Sequence, residues 1–323
     1  SLNPQIGLMW QPTQDILLRG SYSTSFRPPS LFELHAPRTT VTNSGVADPA
    51  RNDALSTVTF VAGGNPNLRP IEADSMTTGF VLTPSALPGL QLLTNYWRIN
   101  TDHRVTFVHF TSLLSNEAAF RDRIVRDVPS EADIAAGIPG KLLQLDVSRM
   151  NFGRLTTSGI DVQAKYQRST GWGDVTTRLS ATWVNEFTAV DVPKTPAVDR
   201  VGIANPAGSI PRWRVVGSIG WKRDGFGLST TLDWLPGYMD ANATGPTGRR
   251  LPARTLVDVQ ASIALDEVLG PSPVCDDLKL QLGVKNLTDE LPPFSEIGFA
   301  SGFDSTQGDL VGRFSYLRLS KGF

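Results

Sequence analysis

Apolar and polar residues alternate along this chain in one segment after another. Leu278, Leu280, Leu282 and Val284 are interleaved with Lys279, Gln281, Gly283 and Lys285, before Asn286-Leu287-Thr288-Asp289 ends the run. Ile160, Val162, Ala164 and Tyr166 alternate in the same way with Gly159, Asp161, Gln163 and Lys165. A period of two puts each set on its own face of a β-strand. Further segments carry Ile6, Leu8 and Trp10, then Ile16, Leu18 and Tyr22, then Met76, Phe80 and Leu82. A strand over 90–105 holds Tyr96 and Trp97, and others run through Leu179 and Trp183, Ile219 and Trp221, Leu228 and Trp234, and Val257 and Val259. With the terminal stretch 309–323, in which Leu317, Leu319 and Phe323 oppose Arg318 and Ser320, the pattern predicts eleven strands.

The connections alternate between short and long. Short turns are predicted at 11–15, 84–89, 169–173 and 223–225, the last an Asp-Gly hairpin signal. Long polar stretches are predicted at 27–70, from about 106 to 150, at 190–209 and at 238–251. The connection 266–276 is long for a turn. Strands of ten or more residues joined in this order describe an up-and-down antiparallel meander, the wiring of a transmembrane β-barrel. A soluble β-sandwich shows similar alternation, but its strands are usually nearer five or six residues. Trp10, Tyr166, Trp183, Trp213, Trp221 and Trp234 near strand ends suit interfacial girdles.

Composition narrows the choice. Apolar residues make up 40% and charged residues 19% of 323 residues, and no run approaches the length of a spanning helix. The net charge is −1 without a basic block, which argues against nucleic acid as a partner. Cys275 is the only cysteine and forms no internal disulfide. Without an initiator Met or an apolar leader, the chain is expected to begin inside a longer polypeptide. Helical signals fall in the long loops. Ser30 with Glu33 predicts a capping box, Ser115 is expected to cap a helix through Phe120 and Ile124, and Ser130 with Asp133 to cap one ending at Gly137.

Four stretches resemble the carboxy-terminal half of the barrel of a TonB-dependent outer-membrane receptor. They are the run from Ser21 through Phe26-Arg27-Pro28-Pro29 to Leu34, then Gly64-Asn65-Pro66-Asn67-Leu68-Arg69-Pro70 with Glu72, then Val284-Lys285-Asn286-Leu287-Thr288-Asp289, and Gly312-Arg313-Phe314 through Phe323. Ile71 between Pro70 and Glu72 departs slightly from the family's pattern. The resemblance implies half of a barrel of about 22 strands, with the plug domain and the TonB-contacting box absent from these residues. Eleven is also odd, whereas bacterial barrels have even strand numbers. The resemblance further implies a place in the outer membrane, with membrane lipid, the barrel-assembly machinery, the TonB complex (through a plug) and a small metal chelate or glycan as partners. Phe323 would be the assembly signal.

No catalytic constellation emerges, so the chain is not expected to be an enzyme and no cofactor is predicted. His35, His103 and His109 lack metal-ligand spacing, and no Gly-x-Ser-x-Gly occurs. Arg19, Arg178, Arg214, Lys279, Lys285 and Arg318 fall on the polar faces, where pairing with Asp161, Asp233 and Asp258 is expected. Ligand contacts are expected in the loops 27–70 and 106–150, with Arg27, His35, Arg38 and Arg51 as candidates for an anionic ligand. Three functions fit the architecture: energised import of a siderophore, cobalamin or glycan; a passive porin; and an outer-membrane hydrolase. The third lacks a visible nucleophile beside a base.

Overall fold

The computed structural model describes residues 2–107, 109–190, 196–204, 208–241, 248–270, 272, 275–298 and 301–322. Eleven strands follow one another in a single antiparallel sheet: β1 Gln5–Thr13, β2 Ile16–Arg27, β3 Ile71–Leu82, β4 Leu90–Asp102, β5 Arg154–Thr170 and β6 Gly173–Val190. They continue as β7 Trp213–Arg223, β8 Phe226–Leu235, β9 Arg254–Ala264, β10 Leu278–Lys285 and β11 Phe314–Lys321. Each strand pairs with its sequence neighbour, and β1 and β11 lie at the two ends of the path. The strand predicted over 90–105 ends at Asp102, because His103 takes a positive φ of 55°.

Strand register carries the alternation across the sheet. Tyr166, Thr177, Ile219, Thr230, Val259 and Val284 are successive Cα partners on β5 to β10 and form one largely apolar row. Two residues away, Ala164, Leu179, Gly217, Leu232 and Val257 form the next row on that face. On the opposite face Lys165, Arg178, Ser218, Thr231 and Asp258 stand in line. One side is thus a continuous apolar surface and the other a continuous polar one.

No hydrophobic core lies under this sheet. Among the described residues, only Ala189 and Leu235 of its strands are buried hydrophobics, and both sit at the ends near the long loops. Leu228, Leu232 and Leu282 are exposed on the apolar face, and Leu278, Leu280 and Val259 beside them are half-buried. A face of this extent is unfavourable in water by about 25 cal/mol per Å² and requires an apolar surround. A sandwich would have covered it with a second sheet.

The connection 265–277 lies at the end of the sheet that carries the short turns, so the alternation of loop lengths holds throughout. It contains the helix Leu265–Leu269.

The wall charges depart from expectation. Arg214 donates to Asp233 at 2.6 Å, as predicted. Asp161 instead accepts from the Thr182 hydroxyl at 2.7 Å, Asp258 from the backbone N–H of Asn286 at 2.8 Å, and Arg19 donates to the Asn95 side chain at 3.1 and 2.8 Å. Uncharged partners one or two strand spacings away satisfy these groups, Arg19 reaching Asn95 across Gly79, without the entropy cost of a long-range ion pair.

Candidate ligand-binding loops

The two longest connections, 28–70 and 103–153, were predicted as polar stretches, and the structure corrects this. They fold into one unit. Thr39–Asp48 and Ala54–Ala62 form a hairpin, closed by a turn through Pro49–Arg51 and the positive-φ residues Asn52 and Asp53. Leu142–Asp146 from the second connection adds parallel to Ala54–Ala62, and Ile124–Arg126 pairs antiparallel with it, giving a four-stranded sheet shared by both loops. The Thr and Val residues of the hairpin favour this extended backbone.

Beneath the small sheet lies the largest core in the molecule. Val58, Leu113, Phe120, Leu142 and Leu145 are almost completely buried, with Val46, Leu114, Ile124 and Val147 around them. Phe60 and Phe110 meet edge to face with ring centroids 5.3 Å apart. The helical signals divide. Ser30 and Ser130 both form capping boxes, with Glu33 and Asp133 respectively, and Gly137 closes the second helix at φ 66°. Ser115, however, ends the helix Phe110–Ser115 rather than opening one. Phe120 faces the core from between two 3-10 turns and Ile124 from the start of the strand Ile124–Arg126, where burying both outweighs a regular helix.

Buried ion pairs fasten the two loops together. Arg126 donates to Asp48 at 2.6 and 2.9 Å and to Glu117 at 2.7 Å twice, with the Gly140 carbonyl at 3.1 Å. Burial alone would raise the pKa of Asp48, but hydrogen bonds and charge from Arg126 outweigh it and hold the carboxyl below its ordinary value. Hydrogen bonds donated to Asp48 and Glu117 hold the pKa of the Arg126 guanidinium above its ordinary value. Arg123 donates to the Ser148 carbonyl at 2.8 Å and stands 3.6 Å from Asp146.

Each ligand-contact candidate has a defined place. Arg27, at the end of β2, donates twice to Glu33 at 3.1 Å, and that hydrogen bond lowers the Glu33 carboxyl to about 2. His35 is exposed at the last residue of the helix Leu31–His35. Arg38 pairs with Asp146 of the other loop at 2.7 Å and remains largely exposed. Arg51 is mostly buried, donating to Asp133 at 2.8 Å and to the Pro139 carbonyl. Arg38 and Arg51 therefore belong to the shared unit, and Arg27 and His35 to the capped turn beside it. Phe323 lies outside the described residues. Sequence reasoning missed Asp48, Glu117 and Arg126, since nothing local connects partners 78 residues apart. The Thr and Val alternation around Val41, Val58 and Phe60 was the signal that could have revealed the hairpin.

The remaining long loops pack around a second cluster of Ala204, Leu235, Tyr238 and Leu251. Asp304 is its polar centre. It accepts from the Ser209 hydroxyl at 2.5 Å, the Tyr238 hydroxyl at 2.8 Å and the Thr306 hydroxyl at 2.6 Å. Burial and the Asp304 charge raise the Tyr238 phenol pKa, so it stays protonated and donating. Among the described residues, no group of three or more His, Cys, Asp or Glu side chains is placed to hold a metal ion.

A long-stranded meander with one apolar face, one polar face and its longest loops at one end is the wall of a transmembrane β-barrel. The family model for the TonB dependent receptor-like β-barrel matches residues 1–287, and the chain belongs to that family. Solved receptors share the fold. A point mutant of the ferric enterobactin receptor PfeA from Pseudomonas aeruginosa, in complex with enterobactin, superposes with a TM-score of 0.65 at 15% identity over 98% of this chain and 40% of that one. The siderophore receptor PirA from Acinetobacter baumannii gives 0.61 at 11% identity, again over 98% and 40%. The FpvAI–pyocin S2 complex gives 0.51 at 12% identity, over 89% and 30%. No curated protein matches. The chain spans about 40% of the length of the siderophore receptors that it matches.

Proposed function

We propose that this chain is the carboxy-terminal barrel half of a TonB-dependent outer-membrane receptor that binds a scarce ligand and imports it at the expense of the proton-motive force. The observation that carries this reading is the two-faced meander of eleven successive strands, in a chain that superposes on siderophore receptors over 98% of its length. In this reading the apolar face meets lipid, the polar face lines the lumen, and β1 and β11 pair with strands supplied by the rest of the receptor. The loops that share the Val58–Leu145 core stand outside the cell. The ligand is of the siderophore, cobalamin or glycan type, and Arg27, His35, Arg38 and Arg51 are the proposed contacts, with Arg38 the more accessible of the two in the shared unit.

The test is uptake by cells carrying the full-length receptor as their only candidate importer, offered a labelled ferric catecholate, cobalamin or an oligosaccharide. Saturable uptake of one of these, abolished by a protonophore, is expected. Uptake that persists without proton-motive force would identify a passive channel instead.

A further inference from the structure

The small sheet shared by the two long loops has a free edge. Its strands run in the order Thr39–Asp48, Ala54–Ala62, Leu142–Asp146 and Ile124–Arg126, so Thr39–Asp48 is paired on one side only. That strand is ten residues long, and from Thr39 to Ala47 it carries neither a charged residue nor a proline. Exposed edges are ordinarily blunted by charge, proline or brevity, because their unpaired N–H and C=O groups recruit another strand. The register shifts between Asn43 and Val46, around Gly45 at φ 79°, which leaves Thr39–Asn43 as the regular stretch.

The core beneath this edge stops one strand short. Residues directly opposite each other in a pair of strands share a face of the sheet. Phe60 packs against the core and meets Phe110, yet its partner Val41 is 60% exposed. Val58 is completely buried, and its partner Asn43 is exposed. One more strand beside Thr39–Asn43 would satisfy the free backbone groups and bring side chains over Val41, as in strand addition to a sheet edge.

Topology selects that strand. The small sheet repeats the order of the loops along the wall, with the strands of 28–70 before those of 103–153. Its free edge therefore belongs to the side of β1. A short turn joins β1 to β2, so the Gln5 end of β1 stands with the long loops, where the Pro4 carbonyl accepts from the Thr24 N–H at 3.0 Å. Polypeptide leading into β1 arrives next to the 28–70 loop, on the side of the free edge.

We propose that the receptor segment immediately ahead of Ser1 adds a strand to this sheet, pairing with Thr39–Asn43 and seating an apolar side chain on Val41. The added strand ties the loops of this chain to those of the rest of the barrel, so that three successive loops share one fold.

This inference rests on the receptor reading, and the experiment separates the two. Amide exchange is resolved residue by residue over 39–43 in the full-length receptor in detergent. On a free edge every second amide faces solvent, so fast and slow amides would alternate, whereas pairing on both sides protects them all. Protection throughout is expected. Val41→Lys puts a charge on the edge and should speed exchange there, and in one segment ahead of Ser1, about tenfold, the factor equivalent to ~1.4 kcal/mol. Leu55→Lys, on an exposed residue of the neighbouring strand, should change neither. A photo-crosslinking residue in place of Val41 should join, in intact cells, to the segment ahead of Ser1 in the same chain. Alternating exchange in the wild type overturns the proposal, and so does a crosslink to a second copy or to another protein. Heat-modifiable gel mobility confirms that each variant has a folded barrel. Uptake by the same cells tests the receptor reading separately: uptake that persists with a protonophore refutes that reading whatever the exchange pattern at the edge.

Discussion

Arg126 and Asp48 form a bidentate pair at 2.6 and 2.9 Å that bridges 78 residues of chain and joins the two longest loops. Asp48 is completely buried and Arg126 nearly so. Removing one partner of such a pair leaves a buried charge and costs about 3–5 kcal/mol. Arg126→Met is therefore expected to loosen both loops together, with little effect on β5 to β11. Hydrogen exchange of the full-length receptor is the measurement. Faster exchange in only one of 39–62 and 110–146 would mean that the loops do not share a fold.

Glu33 offers a pH test. Its hydrogen bond with Arg27, and then those with Ser30, lower its pKa from 4.5 to about 2. A carboxyl whose pKa is depressed on folding contributes stability that is present above its unfolded value and is lost as pH falls through the folded one. The capped turn at Ser30 should therefore hold above about pH 4.5 and weaken between about 4.5 and 2. A carboxyl-carbon NMR titration, with Glu33→Gln to assign the signal, should give a midpoint near 2, and Arg27→Gln should move it up. A midpoint already near 4.5 in the wild type would show the ion pair to be absent in solution.

Tyr316 on β11 lies over Gly283 on β10 and donates from its hydroxyl to Gln260 on β9 at 2.8 Å. A side chain at residue 283 would collide with the tyrosine ring. Gly283→Val is expected to displace the ring and to cost more than Tyr316→Phe, which removes one hydrogen bond worth about 1 kcal/mol. Midpoints of heat-modifiable mobility for the two variants in the full receptor test that order. Equal midpoints would show that the seat of the Tyr316 ring over Gly283 adds nothing beyond its hydrogen bond.

The strand edges predict the behaviour of the chain by itself. β1 is exposed along its whole length, and both end strands offer an unpaired edge. Unsatisfied backbone groups cost several kcal/mol each in hydrocarbon, so the 323-residue chain alone should fail to insert and should aggregate. A monomeric, protease-resistant barrel made from this chain alone would contradict the half-barrel proposal.

Phe323 is proposed as the assembly signal of the terminal strand. Deleting it from the full-length receptor should lower the amount of folded barrel several-fold while leaving the affinity of the assembled fraction unchanged. Equal folded fractions with and without Phe323 on gels of outer-membrane extracts would remove that role.

The sequence by itself determined the wall. Leu278 to Val284 against Lys279 to Lys285 is a period-two pattern, and a strand reads that period locally, whatever the rest of the chain does. Eleven strands, their order and their two faces follow from repeating this rule with alternating turns. The capping boxes at Ser30 and Ser130 were legible for the same reason, since four consecutive residues contain the whole interaction. Only the tertiary structure decided the loops. Val58 and Leu145 are ordinary apolar residues in polar surroundings until a parallel pairing of residues 85 apart, Thr59 with Gln144 and Phe60 with Leu145, brings them into one core. The fate of the candidate arginines was decided in the same way. Arg38 and Arg51 read as free loop charges in the sequence, but the fold gives them Asp146 and Asp133. Register likewise placed Lys165 against Arg178, because a cross-strand partner is set by the turn between two strands and not by either strand alone.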